Sequence, residues 1–131
     1  MDLYIFDFDD TLAITDSRVK VIRGGKEILM TSREFAHFPF NPSTDQLDFG
    51  DFSRAEGTLI KDTVAEMLTA MREGNDVFIV TARALAGPVE QFLKKEVGSH
   101  PPVIATSGSE GKNPWLKRQL QQKTYTRVVV Y

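Results

Sequence analysis

Three carboxylates follow directly on an apolar segment near the start of the chain. Tyr-Ile-Phe leads into Asp7, and Asp9, Asp10 and Thr11 come shortly after it. Packing gives a buried strand no reason to end in charged groups, so we expect these acids to do chemistry or to hold a metal. A strand that ends at Asp7 places its carboxylate at the carboxyl edge of a sheet, where open α/β folds bind ligands. We expect Asp10 to be a turn or capping residue.

The elements that must position these acids are predicted from the spacing of apolar residues. Strands are expected to end at Asp7 and to cover residues 76–81, 103–106 and 127–131. Helices are expected over residues 59–73, from Gly87-Pro88 onward, and from Pro114 onward with Asn113 as the cap. Strands that alternate with helices predict a three-layer, Rossmann-like α/β fold around a parallel sheet.

A small hairpin is predicted after the first strand. Apolar runs within residues 17–30 flank Gly24-Gly25, a pair that suits a type I′ turn. Arg23 and Lys26 stand at the tip of this hairpin. They could touch a substrate, or they could simply keep the turn solvated.

A short helix and a long loop are expected next. Thr31 and Glu34 have the spacing of a capping box, which predicts a helix through about His37. Residues 39–57 are rich in Pro, Asn, Ser, Asp and Gly, and we expect a loop here, anchored by Phe40, Phe49 and Phe52.

Length and composition set limits on what the chain can be. Its 131 residues are enough for one domain, and no apolar run approaches the ~20 residues of a membrane span. The chain has no cysteine and begins without a basic leader, so we expect a cytoplasmic location. The net charge of −2 argues against a general nucleic-acid binder. Residues 111–131 carry five Lys or Arg and no acid, which could attract an anionic substrate or could be a solvated helix face and strand entry.

Three motifs together resemble a known superfamily. The first is Asp-x-Asp-x-Thr-Leu, formed by Asp7, Asp9, Thr11 and Leu12; the second is the apolar strand that ends in Thr81; the third is a lysine before a further strand. This combination resembles the haloacid dehalogenase-like (HAD) superfamily over most of the chain. The resemblance implies a single HAD-like domain over residues 1–131, with a flap and small cap inserted at about residues 13–57.

The resemblance also implies roles for the motif residues. Asp7 would attack phosphorus and form an aspartyl-phosphate, and Asp9 would protonate the leaving oxygen and later activate water. Mg²⁺ would be held by Asp7 and by the backbone carbonyl of Asp9, and Thr81 would donate a hydrogen bond to a phosphoryl oxygen. These roles are physically reasonable, because a carboxylate can approach an anionic ester only where a cation neutralises the clustered charge.

The motif lysine and the substrate contacts are less well defined by the sequence. We favour Lys117 as the catalytic lysine, because Pro-Trp-Leu-Lys-Arg-Gln-Leu looks like the segment that carries it in small phosphatases. Lys112, on the loop before the predicted helix, is the alternative. Thr11, Arg83 and Lys112 are our candidates for substrate binding. The substrate is expected to be a small phosphorylated molecule or a nucleic-acid end, and no membrane partner is expected.

The family's fourth motif is an acidic pair after the strand that here reads Val128-Val-Val-Tyr131. We therefore expect the carboxyl-terminal end of the core to be missing, with impaired activity as one result. Residues 128–130 would then form an exposed edge strand, and a homodimer through this edge is a further expectation.

Two other functions remain open at this stage. A non-catalytic remnant of the same fold would share the structure and lack turnover. A receiver-type phospho-acceptor domain would use Asp48 or Asp51 as its acceptor, but no apolar run precedes either residue.

Overall fold

The computed structural model describes residues 1–131, except for the side chain of Ser109. Nine strands and four α-helices follow one another along the described chain. They are β1 (Leu3–Phe6), β2 (Ala13–Thr15), β3 (Val19–Arg23), β4 (Lys26–Met30), α1 (Ser32–Ala36), β5 (Asp45–Asp48), β6 (Gly57–Leu59), α2 (Lys61–Arg72), β7 (Asp76–Thr81), α3 (Gly87–Glu96), β8 (Val103–Ala105), α4 (Lys112–Gln122) and β9 (Val128–Val130). Short 3-10 helices cover Gly50–Ser53 and Ser109–Gly111.

A four-stranded parallel sheet is the centre of the fold. Its strand order is β8-β7-β1-β9, and every neighbouring pair is parallel. The chain runs from β1 outward through β7 to β8 and then returns to the other side of β1 as β9. The predicted α/β fold with a parallel sheet is confirmed, and β1 lies at the point where the order of the strands reverses.

Helices flank this sheet, and each face of β1 contributes to a separate apolar cluster. One cluster joins Phe6 and Ile79 to side chains of α2 and α3, among them Met67 and Leu93. The other joins Leu3, Ile5 and Val80 to Trp115 and Leu116 of α4. Burying a large apolar side chain contributes about 1.5–3 kcal/mol, so these clusters fix the strand ends that carry the candidate site. Among the helices described, none has the length and apolarity needed to cross a bilayer.

The predicted hairpin and capped helix are both confirmed. β3 and β4 pair antiparallel around Gly24-Gly25, whose φ angles of 57° and 75° fit the type I′ turn. Helix α1 is shorter than expected. Thr31 accepts a hydrogen bond from the amide of Glu34, and the Glu34 carboxylate accepts one from Thr31. Both halves of the capping box are therefore present.

The prediction of a loop over residues 39–57 is wrong in part. β5 pairs antiparallel with β3, and β6 begins at Gly57 and pairs with β2. The sequence of β5 has no β-branched residue, and the strand forms because β3 offers it a free edge. Phe52 packs against the apolar cluster of the hairpin, formed by Val19, Val21 and Met30. Phe40 and Phe49 are 37% and 50% exposed, and each meets the Phe35 ring edge-on, at 6.3 and 6.1 Å.

Helix α4 begins earlier than expected. Its first residue is Lys112 and its N-cap is Gly111, so the prediction of Asn113 as the cap is wrong. Gly111 fits here because a Cβ on it would lie 2.8 Å from both the Cβ and the carbonyl oxygen of Thr106. This close approach fixes the position of the first turn of α4 beside the end of β8.

Strand β9 lies at one edge of the parallel sheet. Val128 and Val130 are 39% and 64% exposed, in keeping with the expected apolar edge. Pairing of this edge with a second copy of the chain stays a prediction.

Candidate active site

Asp7 occupies the position that open α/β sheets use for ligands. It follows the last residue of β1, at the carboxyl end of the strand where the order reverses. Its backbone amide donates to the carbonyl of Tyr131 (3.2 Å), and Phe6 pairs with Ile79 of β7. The main chain on both sides therefore fixes where the Asp7 carboxylate emerges.

The Asp7 carboxylate has one oxygen engaged and is partly open to solvent. Oδ1 accepts from the amide of Phe8 (2.8 Å) and lies 3.2 Å from Nζ of Lys112. The side chain is 38% exposed. Burial raises the pKa of the Asp7 carboxyl; the Lys112 ammonium and the Phe8 amide oppose that rise, and the Asp9 charge adds to it. In the part of the chain that the structure describes, Oδ2 has no hydrogen bond, so it is available to a ligand.

Of the two candidate lysines, Lys112 lies beside Asp7 and Lys117 does not, which is the reverse of our preference. Lys112, the alternative, reaches Asp7 from the first turn of α4. Lys117, which we favoured, is exposed farther along the same helix, and the described side chains include no ion partner for it within 4 Å. A helix displays only its N-terminal turn at the carboxyl edge of a parallel sheet, and Lys117 lies more than one turn farther on. The sequence pattern could not show this, because the helix starts two residues before the predicted first residue.

A tight turn follows Asp7 and leads to the next acid. The amides of Thr11, Leu12 and Ala13 all donate to the carbonyl of Phe8, at 3.2, 2.9 and 3.2 Å. Asp10 has a φ of 62°, in the left-handed region that Asp tolerates better than most residues. Asp10 is thus a turn residue, as predicted. Thr11 lies half-buried in this turn, and its role as a substrate contact stays a prediction.

Asp9 is held by two partners. Nε and Nη2 of Arg83 donate to Oδ2 and Oδ1, at 2.9 and 2.8 Å, and the Thr15 hydroxyl donates to Oδ1 at 2.7 Å. The Asp9 side chain is 14% exposed, whereas that of Arg83 is only 1% exposed. The carboxylate is therefore the more exposed member of the pair, and it lines a small cavity together with Asp10, Thr15 and Ser17.

The prediction that Arg83 binds substrate does not agree with its surroundings. Besides Asp9, the guanidinium donates to the Ser17 hydroxyl (3.0 Å) and to the carbonyls of Phe52 (3.3 Å) and Arg54 (3.1 Å). A guanidinium has five N–H groups, and these contacts use all of them. Arg83 has no donor left for a phosphate in this arrangement.

Thr81 ends β7 as expected and is buried. Its hydroxyl accepts from the amide of Arg83 (3.2 Å), and its carbonyl accepts from the amide (2.9 Å) and hydroxyl (3.0 Å) of Thr106. Two further hydrogen bonds join the loops after β7 and β8, from Ser107 to the Arg83 carbonyl (3.1 Å) and from Gly108 to the Ala82 carbonyl (2.8 Å). Thr81 thus stabilises the loop that carries Arg83, and its contact with a phosphoryl oxygen stays a prediction.

Sequence reasoning missed Thr15 and Ser17. Both are buried polar residues next to the Asp9–Arg83 pair. The available signal was weak, since two hydroxyl residues shortly after an acidic motif are common in loops. Thr15 ends β2, which pairs with β6, and its hydroxyl meets Asp9; Ser17 follows two residues later and its hydroxyl meets Arg83.

The donors for a magnesium ion are of the right kind. Among the described residues, no group of three or more His, Cys, Asp or Glu side chains converges on one point. Mg²⁺ is commonly held by one or two carboxylates, with waters and phosphate oxygens completing its shell. Asp7 offers a carboxylate oxygen, and Asp9, whose carboxylate is paired with Arg83, can offer its backbone carbonyl.

The acids that a receiver domain would need lie elsewhere. Asp48 ends β5 and accepts from the amide of Gly50 (2.8 Å), and Asp51 accepts from the amide of Arg18 (3.2 Å). Both belong to the segment inserted between β1 and α2, and neither follows a strand of the parallel sheet.

Two carboxylates and two cations thus meet at the switch point of a parallel sheet, as Asp7–Lys112 and Asp9–Arg83. Each of these two carboxylates is thus paired with a cation. In comparisons with known proteins, no family model, no curated protein and no solved structure matches this chain, so the resemblance to the haloacid dehalogenase-like superfamily rests on the motif residues of the sequence alone.

Proposed function

We propose that this protein is a magnesium-dependent phosphomonoester hydrolase of the HAD type. The observation that carries the proposal is the Asp7–Lys112 pair, at 3.2 Å, at the carboxyl end of β1. A half-exposed carboxylate beside a lysine at the switch point suits attack on an anionic substrate. The apolar clusters on the two faces of β1 support the three-layer, HAD-like arrangement that goes with this chemistry.

In the first step, Oδ2 of Asp7 attacks phosphorus and the bond from phosphorus to the ester oxygen breaks. Asp9, protonated for this step at the free position of Oδ2, gives that proton to the departing oxygen, which leaves as an alcohol, and Asp9 becomes a carboxylate. The product on the protein is an aspartyl-phosphate at Asp7. In the second step, Asp9 takes a proton from water, the water oxygen bonds to phosphorus, and inorganic phosphate leaves Asp7.

The cations make the approach of the two anions possible. Lys112 lies against Oδ1 of Asp7, so its ammonium is placed to offset charge on a phosphoryl oxygen that comes to the same carboxylate. Mg²⁺, held by the Asp7 carboxylate and the Asp9 carbonyl, would supply further charge neutralisation of the phosphoryl group. Thr11 and Thr81 are proposed as additional hydrogen-bond donors to that group.

The experiment that tests the proposal is hydrolysis of 4-nitrophenyl phosphate with Mg²⁺ and with EDTA, for wild type and Asp7→Asn. Circular dichroism first establishes that both proteins fold. We expect Mg²⁺-dependent turnover that Asp7→Asn abolishes. Mass spectrometry of acid-quenched wild type should show one added phosphoryl group on the peptide that contains Asp7.

Two results would contradict the proposal. Equal turnover by wild type and Asp7→Asn would exclude Asp7 as the nucleophile. A folded wild type without turnover or phosphoryl adduct would favour the alternative, a non-catalytic protein with the same fold.

A further inference from the structure

We propose that Arg83 is a positioning residue, which fixes the Asp9 carboxylate only when the segment of residues 50–54 is docked against it. The inference concerns how the inserted segment controls the proposed general acid and base, and it rests on the proposed phosphatase function. Arg83 itself does not touch the substrate in this assignment.

The first support is that Arg83 joins two parts of the molecule. On one side, Nε and Nη2 hold both oxygens of Asp9. On the other side, Nη1 donates to the carbonyls of Phe52 and Arg54. The guanidinium is therefore a bridge between the motif turn after β1 and the inserted segment.

The second support is that two aromatic rings and Ser17 surround the Arg83 guanidinium. The Arg83 guanidinium carbon lies 4.9 Å from the centre of the Phe52 ring and 5.4 Å from that of Phe8. Ser17 accepts a hydrogen bond from Nη2, and its one hydroxyl proton is shared between the carbonyls of Asp51 (3.4 Å) and Arg54 (3.3 Å). If residues 50–54 moved away, Arg83 would lose two acceptors and one aromatic neighbour at once.

The third support is that one accepting position of the Asp9 carboxylate remains free. A carboxylate accepts at about four lone-pair positions. Arg83 uses two of them and Thr15 uses a third, so the remaining one, on Oδ2, is available to a substrate oxygen or a water. Arg83 can thus remain bound while Asp9 works, and its planar fork sets the direction of the free position.

The test compares Arg83→Lys with Arg23→Lys, a matched change at the Arg23–Asp45 pair of the hairpin sheet. Turnover of ethyl phosphate and 4-nitrophenyl phosphate is measured with Mg²⁺, at a temperature where circular dichroism shows each protein folded. Ethyl phosphate needs protonation of its leaving oxygen far more than nitrophenyl phosphate does. We expect Arg83→Lys to lower kcat for ethyl phosphate by about 10- to 100-fold, with KM nearly unchanged and a much smaller loss for nitrophenyl phosphate. Arg23→Lys should leave both rates unchanged.

Ser17→Ala provides a second variant that keeps the guanidinium. It should show the same dependence on the leaving group with a smaller loss, because it loosens residues 51 and 54 and removes one acceptor of Arg83. Guanidinium ion added to Arg83→Ala should restore part of the ethyl phosphate rate.

The outcomes separate the inference from the proposed function. Equal losses for the two esters in Arg83→Lys and in Ser17→Ala would overturn the positioning role while Asp7→Asn still supports the phosphatase. Absence of turnover by wild type would overturn both. Asp9→Asn serves as the reference, since it should show the largest difference between the two esters.

Discussion

Two arginine–aspartate pairs in this molecule have the same bidentate form and opposite exposure. In the hairpin sheet, Arg23 donates to Asp45 at 2.7 and 2.6 Å, the carboxylate is buried, and the arginine is 42% exposed. At the candidate site, the arginine is buried with 1% of its side chain exposed, and Asp9 is the more exposed member with 14%. Each guanidinium also lies 4.9 Å from a phenylalanine ring, that of Phe38 for Arg23 and that of Phe52 for Arg83.

The difference teaches which member of a pair can take part in chemistry. Asp45 also accepts from the amide of Asn41 (3.0 Å) and the hydroxyl of Thr44 (3.3 Å), so its four lone-pair positions are all used. It can only hold the hairpin sheet together. Asp9 has one accepting position left, and the buried Arg83 guanidinium holds both of its carboxylate oxygens. The Asp9–Arg83 pair leaves its carboxylate partly exposed, whereas the Asp45–Arg23 pair buries its carboxylate completely.

We expect the strongest consequences from changing the acid of each pair, Asp9 or Asp45, to its amide, which tests the contrast between the two pairs directly. Asp9→Asn should lower kcat by about 10²- to 10⁴-fold, because it removes a proton donor and acceptor. It should also cost up to about 3–5 kcal/mol of stability, since it leaves the buried Arg83 charge without a counterion. Asp45→Asn should lower the melting temperature and leave kcat per folded molecule unchanged. Turnover and thermal unfolding of both variants provide the measurements, and a loss of kcat in Asp45→Asn would contradict the contrast.

The second prediction concerns the cation beside Asp7. Lys112→Ala should lower kcat for 4-nitrophenyl phosphate by about 10²-fold, the scale of one lost electrostatic contact to a transition state. Lys117→Ala, on the exposed face of the same helix, is the matched control and should change neither kcat nor stability. Steady-state kinetics of the two variants show which lysine contributes to kcat. The reverse result would restore the preference that the sequence pattern gave.

The third prediction uses pH to separate the hairpin pair from the site. Hydrogen bonds from Arg23, and then from Asn41, hold the pKa of Asp45 well below its usual range. Its stabilisation is therefore complete above the unfolded value of about 3.9 and is lost as pH falls toward the folded pKa. Unfolding measured by urea from pH 7 to pH 3 should show a drop for wild type that is smaller for Asp45→Asn.

Asp7 provides the control of opposite sign. Burial raises the pKa of Asp7, so its ionisation costs stability once the pH exceeds the unfolded value. In EDTA at pH 7, Asp7→Asn should be at least as stable as wild type, and this advantage should shrink at low pH. A strongly destabilised Asp7→Asn would show that the Lys112 contact outweighs burial.

The smallest predicted effect is at the cap of α1, inside the hairpin region. Thr31→Ala removes the hydroxyl of the capping box and should cost about 1 kcal/mol of stability. Turnover should change little, because the Thr31 hydroxyl is used by the cap, although Thr31 lines the same small cavity as Asp9 and Thr15. A change in kcat here would mean that the hairpin sheet and the site are coupled more broadly than through Arg83.

Short-range patterns accounted for much of the fold. The hairpin turn, the capping box, the strand end at Thr81 and the alternation of helices with strands depend on neighbours in sequence, and these predictions were confirmed. The first strand was expected to end at Asp7 and ends one residue earlier, at Phe6. β5 was missed because its place is set by the open edge of β3, more than twenty residues away. The start of α4 was misplaced because it depends on contact between Gly111 and Thr106.

The sequence by itself determined that Asp7 and Asp9 would stand at the end of a buried strand, because strand periodicity and a tight turn are local properties. Only the tertiary structure decided which basic residues would serve them. Lys112 rather than Lys117 lies beside Asp7. Arg83 is paired with Asp9 and is not free to bind a substrate. Both outcomes depend on the side chains and carbonyls that distant segments bring to the same crevice. Residue type and spacing alone cannot show whether the donors of an arginine are already used.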